Sequence, residues 1–408
     1  MNNRSQFAIA YLNTLTFSSV QMLLYIIIPY LSETTGVPVA SIIGAISVGS
    51  FIFAFMGPYW AARSDERGRK FVLGIGMVGM TLSFVLLSGL FYFHHELSLL
   101  AKTAMIFTSR ILYGLLASAV VPVSQAWQID MSPASERMKV LTRNSMCLNL
   151  GRILGPLLIL YKGFSFELLI YGASLWVLLL ALFCLLVADP GVIRERTTVR
   201  LKDAVKEQWF KWKQVLIKNP GPLWLAMVFT SFIGILHTFL GQHLKLTLNI
   251  RGDEATVLMA KIVLVLSLAC VLIQQVGIWT FKKKWRPRLV IGTLGIVAGS
   301  LLLQTSTTVA GIWWAIAFLA FAIAYIPPVY LTLASSGGVK EDYGRKLGST
   351  SIAHSLGYSV GAGLIALSLK FNLFNQISLV VGISIAIVFI MFNLLFKFKS
   401  GELAGAHG

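Results

Sequence analysis

Residues 57–70 read Gly57-Pro-Tyr-Trp-Ala-Ala-Arg-Ser-Asp-Glu-Arg-Gly-Arg-Lys70, a burst of charge between two long apolar runs. The runs at 40–62 and 71–93 are each long enough to cross a bilayer, which takes roughly 20 apolar residues. A link this short makes the two helices antiparallel neighbours. Its clustered Arg67, Arg69 and Lys70 mark the cytoplasmic side, where basic residues collect in membrane proteins.

The composition of the whole chain agrees with that reading. Hydrophobic residues make up 56% and charged residues 12%, with a mean hydropathy of +0.78. Soluble domains are about a quarter charged, so a soluble fold is excluded. The apolar runs are long and unalternating, which excludes a β-barrel and predicts an all-α integral membrane protein. No cleavable signal peptide is expected, because residues 7–31 are too long for an h-region. The net charge of +18 does not indicate nucleic acid, since the basic residues fall in short links between spans. Cys147, Cys184 and Cys270 lie in apolar segments without CxxC or His spacing. Neither a disulfide, a metal site nor a cofactor is implied.

Apolar runs place twelve spans near 7–31, 40–62, 71–93, 101–126, 142–161, 166–188, 222–247, 256–280, 288–306, 311–334, 347–369 and 375–397. Terminal tails and even-numbered links carry 26 Lys and Arg, against 6 on odd-numbered links and adjoining helix ends. Both termini are therefore expected in the cytoplasm. The polar stretch 189–221 divides an N-terminal six-helix bundle, 1–188, from a C-terminal one, 222–408. Trp209 and Trp212 suggest an amphipathic piece of that linker lying at the membrane interface. An offset of 206 residues places Pro122 on Pro328, Gly151 on Gly357 and Gly155 on Gly361. The coincidence suggests two bundles related by a pseudo-two-fold axis along the membrane normal.

Three stretches resemble signatures of the major facilitator superfamily. Its loop between the second and third spans reads roughly Gly-x-x-x-Asp-Arg-x-Gly-Arg-Lys/Arg. Asp65, Gly68, Arg69 and Lys70 match it, while Ala61 stands for the first Gly and Glu66 for the first Arg. In the fourth span, Arg110-Ile-Leu-Tyr-Gly114 resembles the efflux pattern Arg-x-x-Gln-Gly, with Tyr113 in place of Gln. In the fifth, Gly151-Arg-Ile-Leu-Gly155-Pro156 resembles the Gly-x-x-x-Gly-Pro element of drug and metabolite antiporters. The C-terminal loop 282–288 is a degenerate copy of the opening motif without an acid.

The resemblance implies a carrier that works by alternating access. It also implies that Asp65 caps the start of the eleventh span and that Arg69 pairs with an acid ending the fourth, here Asp130, to form a conformational latch. A carboxylate at a helix N-terminus gains from the dipole and the free N–H groups. Glu66 should re-pair with Arg63 or Arg67. Gly114, Gly151, Gly155, Gly357 and Gly361 are expected where helices pack closely, at the seam between halves for the last four, with Pro156 bending its helix.

All sixteen acids fall in links or helix ends, and none at mid-membrane. Arg110 and Arg152 lie inside spans, where a charge costs ~2.5 kcal/mol or more and marks a functional site by default. Arg110 is about two turns from the outer end of its span, so snorkelling competes with function there; Arg152 is too deep to snorkel. His237, His243, His354, Gln242, Gln274, Gln275 and Tyr325 supply polar groups to the second half. Buried cations without acids favour an anion, and a guanidinium matches a carboxylate bidentately. His237 and His354 can change charge near neutral pH; each is a packed polar residue or a proton carrier.

The expectation is a monomeric secondary transporter of the bacterial inner membrane. It exports a small carboxylate-bearing metabolite, a polycarboxylate siderophore being one case, coupled to protons. Broad multidrug efflux and organic-anion import remain alternatives. No nucleophile–base pair, HExxH or P-loop is present, so neither an enzyme nor an ATP-driven pump is expected.

Overall fold

The computed structural model describes residues 3–133, 136–161, 163–187, 220–281, 284–335 and 343–371, with isolated positions in 206–217 and at 387 and 390. The amphipathic piece expected at Trp209 and Trp212 and the twelfth span at 375–397 lie outside the described residues. Within the described residues every regular element is helical. In hydrocarbon each backbone N–H and C=O must be satisfied internally, and a helix does this within one segment.

The helices of the first half are α1 (Asn3–Ile26), α2 (Ile28–Thr35), α3 (Val39–Arg67), α4 (Arg69–Phe93), α5 (Leu99–Leu116), α6 (Val120–Asp130), α7 (Arg137–Leu160) and α8 (Phe166–Val187). Those of the second half are α9 (Pro220–Leu248), α10 (Gly252–Phe281), α11 (Trp285–Thr305), α12 (Val309–Ser335) and α13 (Tyr343–Phe371). Ten helical stretches among the described residues are long and apolar enough to cross a membrane. The helix α7, expected as the fifth span, is not among them. Lys139, Arg143, Asn144, Asn149 and Arg152 lower its hydropathy.

Local chemistry sets the breaks. Gly36, at φ 72°, caps α2 by donating its N–H to the Ser32 carbonyl, a left-handed cap that glycine adopts without strain. Gly68, at φ 89°, ends α3 and starts α4, so the hairpin of the opening loop turns on one residue. The fourth span is two helices joined by a 3₁₀ turn at Ala117–Ala119. Pro122 follows within one turn, and its missing amide withholds the bond a continuous helix would make to Ser118.

The chain forms two compact units. One comprises 1–208 with 250–264, the other 209–249 with 265–408. In the first, α1 packs on α7, α3 on α5, and α4 on α5 and α8; in the second, α9 packs on α13 and α11 on α12.

The same crossing is built in both units. A Cβ at Gly151 would lie 2.5 Å from the Leu15 carbonyl and 2.6 Å from Ser18 Cβ, and one at Gly155 would lie 2.8 Å from the Ser19 carbonyl. In the second unit Gly357 abuts the Met227 carbonyl and Thr230 Oγ1, and Gly361 abuts the Ser231 carbonyl. Leu15, Ser18 and Ser19 thus correspond to Met227, Thr230 and Ser231, each pair 212 residues apart. The close approach expected at the seam between halves is found inside each unit instead, because these glycines face the first helix of their own bundle. Pro156 is buried beside Gly155 on α7. Gly114 lies against the Gly49 carbonyl, and a Cβ at Gly49 would come within 2.5 Å of the Arg110 carbonyl.

A Cβ at Gly361 must push α13 off α9. Gly361→Ala is expected to lower the melting temperature of the purified protein, by the 1–3 kcal/mol typical of overpacking. Gly172→Ala is the control, since no atom lies within 4 Å of its Cβ position; it should leave the melting temperature unchanged or raise it.

Candidate functional site

Among the described residues of the first unit, two buried polar clusters are built around an arginine, and their charge balance is opposite. The first lies at the Gly68 turn. Arg69 opens α4, and its Nε donates to Asp130 Oδ2 at 2.8 Å. Its Nη2 donates to Asp65 Oδ1, and its Nη1 donates to Ser64 Oγ and the Ala61 carbonyl. One guanidinium, with five donors in a fixed fork, therefore ties together the ends of α3 and α6 and the start of α4. The pairing of Arg69 with Asp130 is the one the sequence proposes.

Asp65 turns to Arg69; the segment 336–342, before the eleventh span that Asp65 was expected to cap, lies outside the described residues. Of the two partners open to Glu66, Arg63 takes it, at 2.5 Å. Lys70 is half-buried and Gly68 buried.

The second cluster lies deep in the bundle. Arg110 stands eleven residues beyond Leu99 on α5, a rise of about 16 Å. It is only 4% exposed, so the snorkelling alternative falls. Its Nη2 donates to Ser83 Oγ on α4 and to Ser109 Oγ, the latter at 3.1 Å. Its guanidinium carbon lies 5.0 Å from the Tyr113 ring centre and 5.8 Å from that of Phe84, within cation–π range. Among the described residues no carboxylate pairs with it.

Tyr113 O–H donates to Gln21 Oε1, and Gln21 Nε2 donates to Tyr25 Oη, which extends the cluster from α5 to α1. Phe17, Phe53 and Tyr113 stand with mutual ring separations of 5.8–5.9 Å. Of these groups the sequence reading found Arg110 and Tyr113 and missed Gln21, Tyr25, Phe17, Phe53 and Ser83. One signal was available: Gln21 and Tyr25 are polar positions one helical turn apart in an otherwise apolar span.

Arg152 lies elsewhere. It is on the exposed face of α7, while the adjacent Gly151 is buried against α1. A further buried set joins α1, α6 and α7, where Asn144 Oδ1 accepts from Thr14 Oγ1 at 2.9 Å and Gln128 Nε2 at 3.0 Å.

In the second unit, two of the expected histidines share one aromatic cluster. The His237 ring lies 6.0 Å from Tyr358. Tyr358 is one turn from His354 on α13, and His354 sits edge-on to Tyr330 at 5.3 Å. His243 is buried beside Thr247. The other expected residues are apart from this cluster. Gln274 Nε2 donates to the Ala324 carbonyl at 3.3 Å, Tyr325 is buried with Phe281 edge-on at 6.0 Å, Gln242 is half-buried and Gln275 exposed. Among the described residues no group of His, Cys, Asp and Glu could hold a metal ion.

Spanning helices, one glycine crossing built twice, and polar clusters deep in apolar bundles define a polytopic helical membrane protein. Residues 9–362 match the Major Facilitator Superfamily, and the chain belongs to that family. Solved transporter structures share its fold. The human organic anion transporter MFSD10 (TETRAN) is 15% identical, with 96% of this chain and 100% of that chain covered and a TM-score of 0.66. The nucleoside transporter NupG is 13% identical over 98% of this chain and 100% of its own, TM-score 0.68. A D-xylose-proton symporter is 17% identical over 94% and 96%, TM-score 0.69. No curated protein matches the chain by sequence.

Removing one member of a buried ion pair costs about 3–5 kcal/mol. Arg69→Glu and Asp130→Arg should each lower the melting temperature sharply. The double variant should recover only part, because Asp65 then faces Glu at position 69; adding Asp65→Asn should restore more. No recovery in either combination would show that the Arg69–Asp130 pair does not stabilise the fold.

Proposed function

We propose that this transporter exports a small carboxylate-bearing anion across the inner membrane in exchange for protons, with both termini in the cytoplasm. The observation that carries the reading is Arg110, buried against hydroxyls and ring faces with no carboxylate among its described partners. Hydroxyl dipoles solvate a guanidinium but do not cancel its charge, and a buried cation calls for a counter-ion. No Asp or Glu stands at mid-membrane to serve. A carboxylate arriving with the cargo supplies the missing charge and fits the guanidinium fork.

The fold leaves the cargo open, since its structural relatives include transporters of organic anions, nucleosides and sugars. The charge pattern narrows it. A pump for cationic drugs needs an acid where this chain has arginine, which disfavours broad drug efflux. Arg152, on the exposed face of α7, is the second candidate contact for the anion. His237, with Tyr358 and His354 close by, is the candidate proton carrier, because imidazole titrates near neutral pH. The export direction rests on the efflux-like motifs at Arg110–Gly114 and Gly151–Pro156.

Reconstituted vesicles test the reading with citrate and a panel of mono- and dicarboxylates. Saturable uptake or release of at least one carboxylate is expected. Arg110→Gln should weaken its apparent affinity about 10- to 150-fold, the equivalent of the 1.5–3 kcal/mol of a charged hydrogen bond. Arg152→Ala should weaken it less. Unchanged transport in both variants would overturn the anion reading. For coupling, collapsing the pH gradient should stop accumulation, and His237→Ala should reproduce that loss.

A further inference from the structure

The start of α10 carries a charge pattern separate from the buried Arg69 and Arg110 clusters. Gly252 donates its N–H to Glu33 Oε2 at 2.8 Å, and its Cα approaches so closely that an added Cβ would lie 2.9 Å from the Pro29 carbonyl. Tyr30, on the same segment, hydrogen-bonds Glu167 and meets Phe166 edge-on at 4.7 Å. The first turns of α10 and the start of α8 are thereby held on α2. Between them is a cavity of about 410 Å³ lined by Phe166, Asp253, Glu254, Val257, Leu258 and Lys261.

The face of α10 that lines this cavity looks outward. Continuing from Lys261 at helical spacing come Val265, Leu268 and Leu272, which are 46%, 47% and 67% exposed, whereas Met259, Ala260, Ile262 and Val263 on the other side are buried. An exposed Val/Leu stripe on a spanning helix is a surface for lipid. Lys261 heads that stripe nine residues inside the helix start, about 13 Å along the axis. Its side chain leans toward the helix N-terminus, as Cβ directions in a helix require, and so toward the membrane surface. Among the described residues Lys261 makes no ion pair.

Two turns nearer the surface are Asp253 and Glu254, which share one exposed cation: Arg251 lies 2.7 Å from Asp253 and 3.6 Å from Glu254. The arrangement therefore reads, from surface to interior, one net negative charge, an apolar floor of Phe166, Val257 and Leu258, and one positive charge.

We propose that this groove binds a phospholipid whose headgroup ends in a primary amine, with the lipid phosphate on Lys261 and the ammonium on the Asp253 and Glu254 carboxylates. The order of charges matches such a zwitterion, whose phosphate lies deeper than its amine, and the apolar stripe below continues along the acyl chains. A trimethylated amine has no N–H to give the carboxylates, and an anionic headgroup brings its charge against them. Both are discriminated against by the two acids, while Lys261 supplies affinity for phosphate.

The test uses the full-length protein in nanodiscs of phosphatidylcholine with phosphatidylethanolamine or phosphatidylglycerol added, read by native mass spectrometry and melting temperature. Phosphatidylethanolamine should be retained about tenfold over either competitor and should raise the melting temperature. Glu254→Gln should abolish the preference, Lys261→Gln should lower retention of phosphatidylethanolamine, and Leu258→Trp, which fills the groove without altering charge, should reduce retention of the lipid. Equal retention of phosphatidylcholine and phosphatidylethanolamine overturns the proposal, as does a wild-type preference for phosphatidylglycerol. Undiminished retention in Leu258→Trp places the lipid elsewhere and overturns it too. Should Lys261→Gln fold poorly, Glu254→Gln at an exposed position decides alone.

Discussion

In hydrocarbon there is no hydrophobic force to press one helix on another, so helices meet where their backbones can touch. That constraint organises the bundles. Glycines on α7 and α13 admit the carbonyls of α1 and α9, and Gly49 admits the carbonyl of Arg110 on α5. The last crossing also fixes the Arg110 cluster. With the Arg110 backbone pressed on α3, its side chain is delivered toward α4 and the Ser83 hydroxyl, with the Tyr113 ring alongside. The packing of small residues and the position of the charge are one event.

Arg69 and Arg110 show how neighbours, rather than burial, assign a role. Each is 4% exposed, so each lost its hydration on folding. Arg69 is compensated by two carboxylates and two oxygen acceptors from the end of α3, and is thereby part of the scaffold. Arg110 is cradled by hydroxyls and rings, which reduce the desolvation cost and leave the charge uncancelled. A buried charge that the fold completes needs no counter-ion from outside, and one that it leaves incomplete is the basis of the proposed anion reading.

The sequence displayed the first of these better than the second. Arg69 and Asp130 were legible because Arg69 occupies a motif position and Asp130 is the acid that ends the fourth span. The small-residue spacing at Gly151 and Gly155 was legible too, though not its partner: a glycine pattern states that a backbone comes close without saying whose. The pairing of Asp65 with Arg69, one turn away, was not read from the sequence, and the cap that the family resemblance implies for Asp65 falls on a segment outside the described residues. Gln21 and Tyr25 were marked only by their polarity and spacing, and Phe17 and Phe53 stayed hidden because an apolar side chain in a spanning helix reads the same on a lipid face and in a packed core. Only the crossing of α1 with α5 through Tyr113 tells them apart.

The two glycine crossings have different spacings along the chain. Their glycines are 206 residues apart, but the carbonyls that receive them are 212 apart. Six residues have therefore been gained or lost between the first and fifth spans of one half relative to the other, without disturbing either contact. What the halves hold in common is a docking geometry, and the chain that connects its two sides is free to vary in length. The halves should accordingly be superimposed crossing by crossing, since any single sliding offset aligns one partner of each contact and misplaces the other.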